Sequence, residues 1–171
     1  MYRSITLSAV AIAAFSAALW TSRAPIQPPE ISKNAKSLNW LLELARLNPP
    51  PYNGAIDTNI EEDAELQFEA TMAFYKRGAY ALAIPGLRET LDLDSRAVGA
   101  RFYLGICLVM TGEIEQGEQS LEDTIAWHDE RFLKPALTYG AKANLMLYRV
   151  ERAHAMLLDS GESLTGLLTG E

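Results

Sequence analysis

Gly78 and Gly112 stand 34 residues apart, and their surroundings repeat with them. At that offset Phe74 meets Leu108, Tyr80 meets Ile114, Ala83 meets Gly117, Leu87 meets Leu121, Thr90 meets Thr124 and Leu91 meets Ile125. A shared period of this length restricts the fold, because it is the length of one helical hairpin that can bury its apolar side only by stacking on the next. Each glycine lets the chain turn where a Cβ would be strained. The small residue at 83 or 117 lets the second helix of a hairpin press against the first. Leu87 with Leu91, and Leu121 with Ile125, then lie four apart on one buried stripe. The expected fold class is all-α.

These two units are AELQFEATMAFYKRGAYALAIPGLRETLDLDS, from Ala64, and VGARFYLGICLVMTGEIEQGEQSLEDTIAWHD, from Val98. They resemble tetratricopeptide repeats. That family's order of large, small and aromatic or apolar residues in the first helix is met by Ala70, Thr71 and Phe74, and then by Leu104, Gly105 and Leu108. Its small residue after the turn is met by Ala83 and Gly117. Ser95 stands where the family often has proline, and Gly117 costs its helix about 1 kcal/mol relative to alanine. A weaker third unit runs from about Lys134 to about residue 160. In it Gly140 and Ala141 hold the large and small positions, Tyr148 replaces the turn glycine and Ala153 is the small residue. The resemblance implies stacked antiparallel helical hairpins in a right-handed solenoid over residues 57–171, with repeats at about 64–97, 98–131 and 134–160. Residues 161–171 would be a capping segment, with Leu164, Leu167 and Leu168 as its apolar face.

The N-terminal third reads differently. Residues 5–20 carry no charge and are mostly Ala, Leu, Ile, Val and Phe, between Arg3 and Arg23. A run this apolar is expected to form a single N-terminal hydrophobic helix. Ile5, Leu7, Val10, Ile12, Phe15, Leu19 and Trp20 would hold it in a bilayer, with the Trp20 ring at the interface. Residues 1–23 are thus an uncleaved signal anchor or a signal peptide cut near Ala24, although Pro25 disfavours that cut. Residues 24–56 form a proline-rich linker stiffened by Pro25, Pro28 and Pro29. Within it, Ser37 can cap a short helix at 37–47, apolar nearly all round through Trp40, Leu41, Leu42, Leu44, Ala45 and Leu47. Asn48 and the prolines 49–51 end it.

The order of anchor, LLELARLNPPPY, and a repeat opening on GAYALAIPGL also resembles the extracytoplasmic part of some bacterial anti-sigma-factor-like membrane proteins. Those proteins carry a zinc-finger segment ahead of their anchor. Only the outward-facing module carries over. The location implied is a bacterial inner membrane, single-pass with the repeats outside, or the periplasm if the leader is cleaved.

Chemistry is sparse. The chain has 15 Lys+Arg against 22 Asp+Glu, a net charge of −7. Nucleic acid is therefore not an expected partner, since a phosphate backbone demands clustered positive charge. Cys107 is the lone cysteine and reads as a core residue. His128 beside Asp129 and Glu130 reads as a solvated helix end, and His154 as an exposed or space-filling residue. The run Glu61, Glu62, Asp63 and Glu65 suits the positive end of a helix. No phosphate loop, nucleophile elbow or zinc spacing is present. No catalytic residue, metal, cofactor or small-molecule substrate is expected.

The function expected is a membrane-tethered, non-catalytic scaffold that binds another protein. The alternatives are a secreted periplasmic adaptor and a helical enzyme or ligand-binding domain. In the tetratricopeptide family the first helix of each repeat lines a concave groove. Carried over, the positions are Phe68, Met72 and Tyr75, then Phe102, Tyr103, Ile106, Val109 and Met110, then Tyr139 and Met146. The family's Lys and Asn that clamp a peptide carboxylate are replaced here by Phe68 and Met72. An aromatic, Met-rich surface suits an apolar helix or an extended peptide. Either an external partner or the chain's own helix at 37–47 would cover it.

Overall fold

From residue 60 to residue 163 the described chain forms six α-helices: α1 Glu62–Lys76, α2 Tyr80–Leu93, α3 Val98–Met110, α4 Ile114–Ala126, α5 Glu130–Met146 and α6 Val150–Ser160. The computed structural model describes residues 43, 45–52, 54 and 60–163, and among these there is no strand. The apolar leader at 5–20, most of the helix expected at 37–47 and the tail from residue 164 lie outside the described residues. Glu43 and Ala45 are helical, and the chain leaves the helix at Arg46. No helix among the described residues is long and apolar enough to cross a membrane.

Each helix packs on the next, and α3 also packs on α5. The architecture is a helical repeat of three hairpins, α1–α2, α3–α4 and α5–α6, whose second helices begin at residues 80, 114 and 150. The turns within hairpins share one geometry. Gly78, Gly112 and Tyr148 all have positive φ, at 73°, 92° and 58°. The following residue's N–H reaches back to the helix, as in Ala79 to the Phe74 carbonyl at 3.0 Å, Glu113 to Leu108 at 2.9 Å and Arg149 to Asn144 at 2.8 Å. This is the Schellman closure of a helix C-terminus, which satisfies carbonyls left over by the last turn.

The third hairpin starts earlier than the sequence indicates. α5 begins at Glu130 because the Asp129 side chain caps it, accepting the Arg131 N–H at 3.0 Å. Pro135 then lies inside the helix, as Pro85 does in α2.

Two apolar clusters hold the hairpins. One joins α1 to α4 with Phe132 and Ala136 of α5, and Leu47, Tyr52 and Ile60 pack on it. The other joins Leu137, Ala141 and Leu145 of α5 to Ala153, Met156 and Leu157 of α6, with Ala45 buried among them. A four-residue connection, 94–97, links the first two hairpins. In it the buried Asp94 accepts the Glu61 N–H at 2.9 Å and the Arg96 N–H at 2.8 Å, and pairs with the Arg96 guanidinium at 2.7 Å. One carboxylate thus ties the start of α1 to the entry of α3.

Candidate functional site: an aromatic face and the segment lying on it

First helices α1, α3 and α5 bring an unbroken chain of rings together. Phe68 and Tyr75 of α1 meet Tyr103 of α3 at centroid distances of 6.2 and 4.9 Å. Phe102 meets Tyr103 at 5.2 Å, Phe132 of α5 at 5.4 Å and Tyr139 at 6.1 Å. Tyr80 of α2 closes the row against Tyr75 at 5.5 Å. Helical spacing explains the alignment: 68, 72 and 75 share one face of α1, and 102, 103 and 106 share one face of α3.

Of the ten positions carried over from the repeat family, five supply these rings: Phe68, Tyr75, Phe102, Tyr103 and Tyr139. Met72 and Ile106 lie fully buried beneath them. Val109 is buried toward α4, where a Cβ added at Gly117 would lie 2.6 Å from its Cγ2. Met110 is exposed, and Met146 is half-buried against the α5–α6 cluster. Phe132 joins the face although it was not singled out. A start of the third hairpin near Lys134 leaves it outside the repeat.

The face is covered by the chain's own residues 45–52. Tyr75 donates its hydroxyl to the Pro50 carbonyl at 2.7 Å, and Tyr139 donates to the Asn48 carbonyl at 2.8 Å. The Tyr52 ring stands edge-on to Phe68 at 5.8 Å and to Tyr103 at 5.6 Å, with Lys76 Nζ 4.7 Å from its centroid. Leu47 packs into the same cluster. Pro51 and Asn48 remain exposed. Burial raises the Tyr75 and Tyr139 hydroxyls above the ordinary tyrosine value and pushes Tyr103 up to about 12. These groups keep their protons and remain donors. The three prolines carry no N–H and hold φ near −65°, so the segment lies on an apolar face without burying unpaired donors. The sequence reading took 49–51 as a helix stop and a loop. Among the described residues the cover consists of Leu47, at the end of the range expected to be helical, and of the proline run and Tyr52 that follow it.

Other polar clusters are tied up internally. Glu118, 5% exposed, accepts from the Asn144 side chain at 3.2 Å and faces Arg149 and Arg152 at 3.5 and 3.6 Å. Glu122 pairs with Arg152, and its carboxyl is raised by burial and by the nearby Glu118. Both carboxylates are engaged in joining α4 to α6. Burial pushes the Cys107 thiol up to about 12, so it stays a protonated core residue. His128 and His154 are exposed. Among the described residues no group of three or more His, Cys, Asp or Glu side chains could hold a metal ion. A shallow surface concavity of about 470 Å³ lies over α2, α3 and α4, with Leu91, Leu104 and Leu108 between polar Arg88, Gln119 and Asp123. Protein-family models, curated proteins and solved structures were each compared with the chain, and none matches it.

Proposed function

We propose that this chain is a non-catalytic protein-interaction module of the tetratricopeptide type, held at a membrane by its leader, and that the ring-lined face of α1, α3 and α5 is its peptide-binding surface. One observation carries the reading. A stretch of non-helical chain already lies along that face, gripped through its backbone carbonyls by tyrosine hydroxyls and through its one ring by Phe68 and Tyr103. Peptide recognition on a helical scaffold uses the same elements: backbone hydrogen bonds for hold and a pocketed aromatic for selection. The 34-residue period and the turn glycines support the family reading, and the uncharged run at 5–20 with Trp20 supports a bacterial inner-membrane anchor with the repeats outside.

The test of the surface is a photo-crosslinking residue placed at position 139 in cells. A crosslink from 139 to another polypeptide is expected, and none from position 158, exposed on α6. Equal yields at both positions would remove the face from the argument. Carbonate extraction should leave the protein in the membrane pellet. A soluble protein with its N-terminus near residue 25 would indicate the periplasmic adaptor instead.

A further inference from the structure

The covering segment defines what else can lie there. We propose that residues 47–52, Leu-Asn-Pro-Pro-Pro-Tyr, are a resident competitor, and that the partner ligand is an extended proline-rich segment ending in an aromatic residue which displaces them. This rests on the reading of the face as a peptide-binding surface, and it names both the ligand class and the regulation.

The contacts specify the class. Both hydroxyl donors, Tyr75 and Tyr139, act on backbone carbonyls two residues apart, Pro50 and Asn48. A helical ligand serves them poorly, because outside its last turn its carbonyls point along its own axis into i to i−4 bonds and are flanked by its side chains, whereas an extended backbone turns them outward. An extended ligand without prolines would bring N–H groups down onto the Phe68, Phe102 and Tyr103 rings, which offer no strong acceptor. Proline at these positions removes the N–H and leaves the carbonyl. The final position selects a ring. Tyr52 meets Phe68 and Tyr103 edge-on, with the Lys76 ammonium 4.7 Å from its centroid, and an aliphatic side chain has no π face for that cation.

The resident copy sets a threshold. Tyr52 is joined to α1 by only nine residues, 53–61, so its effective concentration at the face is high, on the order of millimolar. A free ligand of the same chemistry is outcompeted unless it reaches this concentration or binds better. Release is local, because Asn48 and Pro51 are exposed and the segment contributes no helix of its own between Arg46 and Tyr52.

The test uses the full chain in detergent and a fluorescein-labelled Leu-Asn-Pro-Pro-Pro-Tyr-Asn peptide read by anisotropy. Tyr52→Ala should bind the peptide at least tenfold more tightly than the wild type. In that background, Tyr139→Phe should weaken binding several-fold, and a peptide with alanine for its tyrosine should bind at least tenfold more weakly. Pro50→Gly, which keeps the Tyr52 ring, provides the same measurement should Tyr52→Ala lose its helical signal. Equal binding by wild type and the opened variant would overturn the resident competitor. If a folded opened variant binds a leucine-rich amphipathic helix but not the proline peptide, the ligand class is overturned and the surface stands. If it binds neither, both fall.

Discussion

At Gly117 two residue-scale effects oppose each other. Glycine inside a helix costs about 1 kcal/mol relative to alanine, so the sequence alone marks Gly117 as a weak point of α4. A Cβ there would lie 2.8 Å from the Gly105 carbonyl oxygen and 2.9 Å from the Val109 nitrogen, both backbone atoms of α3 that no rotamer change can move. Overpacking of this kind costs about 1–3 kcal/mol. Gly117→Ala should therefore lose up to about 2 kcal/mol net in urea unfolding, despite its better helix propensity. A gain in stability would refute the close approach. The repeat pattern made this small position legible. Asp94 was not legible, because an acidic residue in a short connection looks solvated until the fold turns Glu61 and Arg96 onto it. Hydrogen bonds from Arg96 and the Glu61 N–H hold its carboxyl well below the ordinary 3.8. A depressed folded pKa adds stability that is fully present above the ordinary value and is lost as pH falls toward the folded one. The thermal midpoint should thus decline below about pH 4, and Asp94→Asn should lower the midpoint at pH 7 and flatten that decline. Asp129, lowered in the same way by Arg131, will keep its own share of the slope in the variant.

Among elements, the hairpin turns were the most readable and the segment ahead of α1 the least. Gly78, Gly112 and Tyr148 take the same left-handed closure; the 34-residue period singles out the two glycines, and the weaker third unit places Tyr148 at the turn with its register slipped by two residues. Tyr148 holds φ at 58° with a half-exposed ring, so it bears strain that glycine would not. Left-handed backbone costs a non-glycine residue about 1–2 kcal/mol, part of which glycine gives back through the entropy of its unfolded chain. Tyr148→Gly should gain roughly 0.5–1 kcal/mol in chemical denaturation, and a loss would mean that the Tyr148 ring contributes packing. Phe74 and Leu108 are equivalent by sequence, yet Phe74 is 38% exposed and Leu108 only 2%. The difference is positional, since α3 has the α1–α2 hairpin beside it and α1 is the first of the six helices. Residues 48–52 were unreadable for another reason. Periodicity reports elements that bury their own stripe, and an extended proline run has no stripe. Its place is determined by two tyrosines 25 and 91 positions away.

For the whole molecule, that covering segment changes how the parts depend on one another. A row of hairpins in which each touches only its neighbours unfolds as a chain of nearly independent units. Here Ala45 is buried with α5 and α6 while Tyr52 is held by α1 and α3, so one short stretch touches the first, second and third hairpins together. Wild-type unfolding should be a single sharp transition, with fluorescence and circular dichroism coinciding. Replacing 48–52 by glycine and serine should broaden it or separate the two probes. An unchanged, coincident transition would show that the hairpins cooperate without the segment. Direction matters as well as connection. A pull applied to the chain at Arg46 enters through this segment before it reaches α1. Two tyrosine–carbonyl bonds and one wedged ring then act as a mechanical fuse, and in a single-molecule pulling trace from a handle at position 46 their rupture should come first, as a small step ahead of the helical ones.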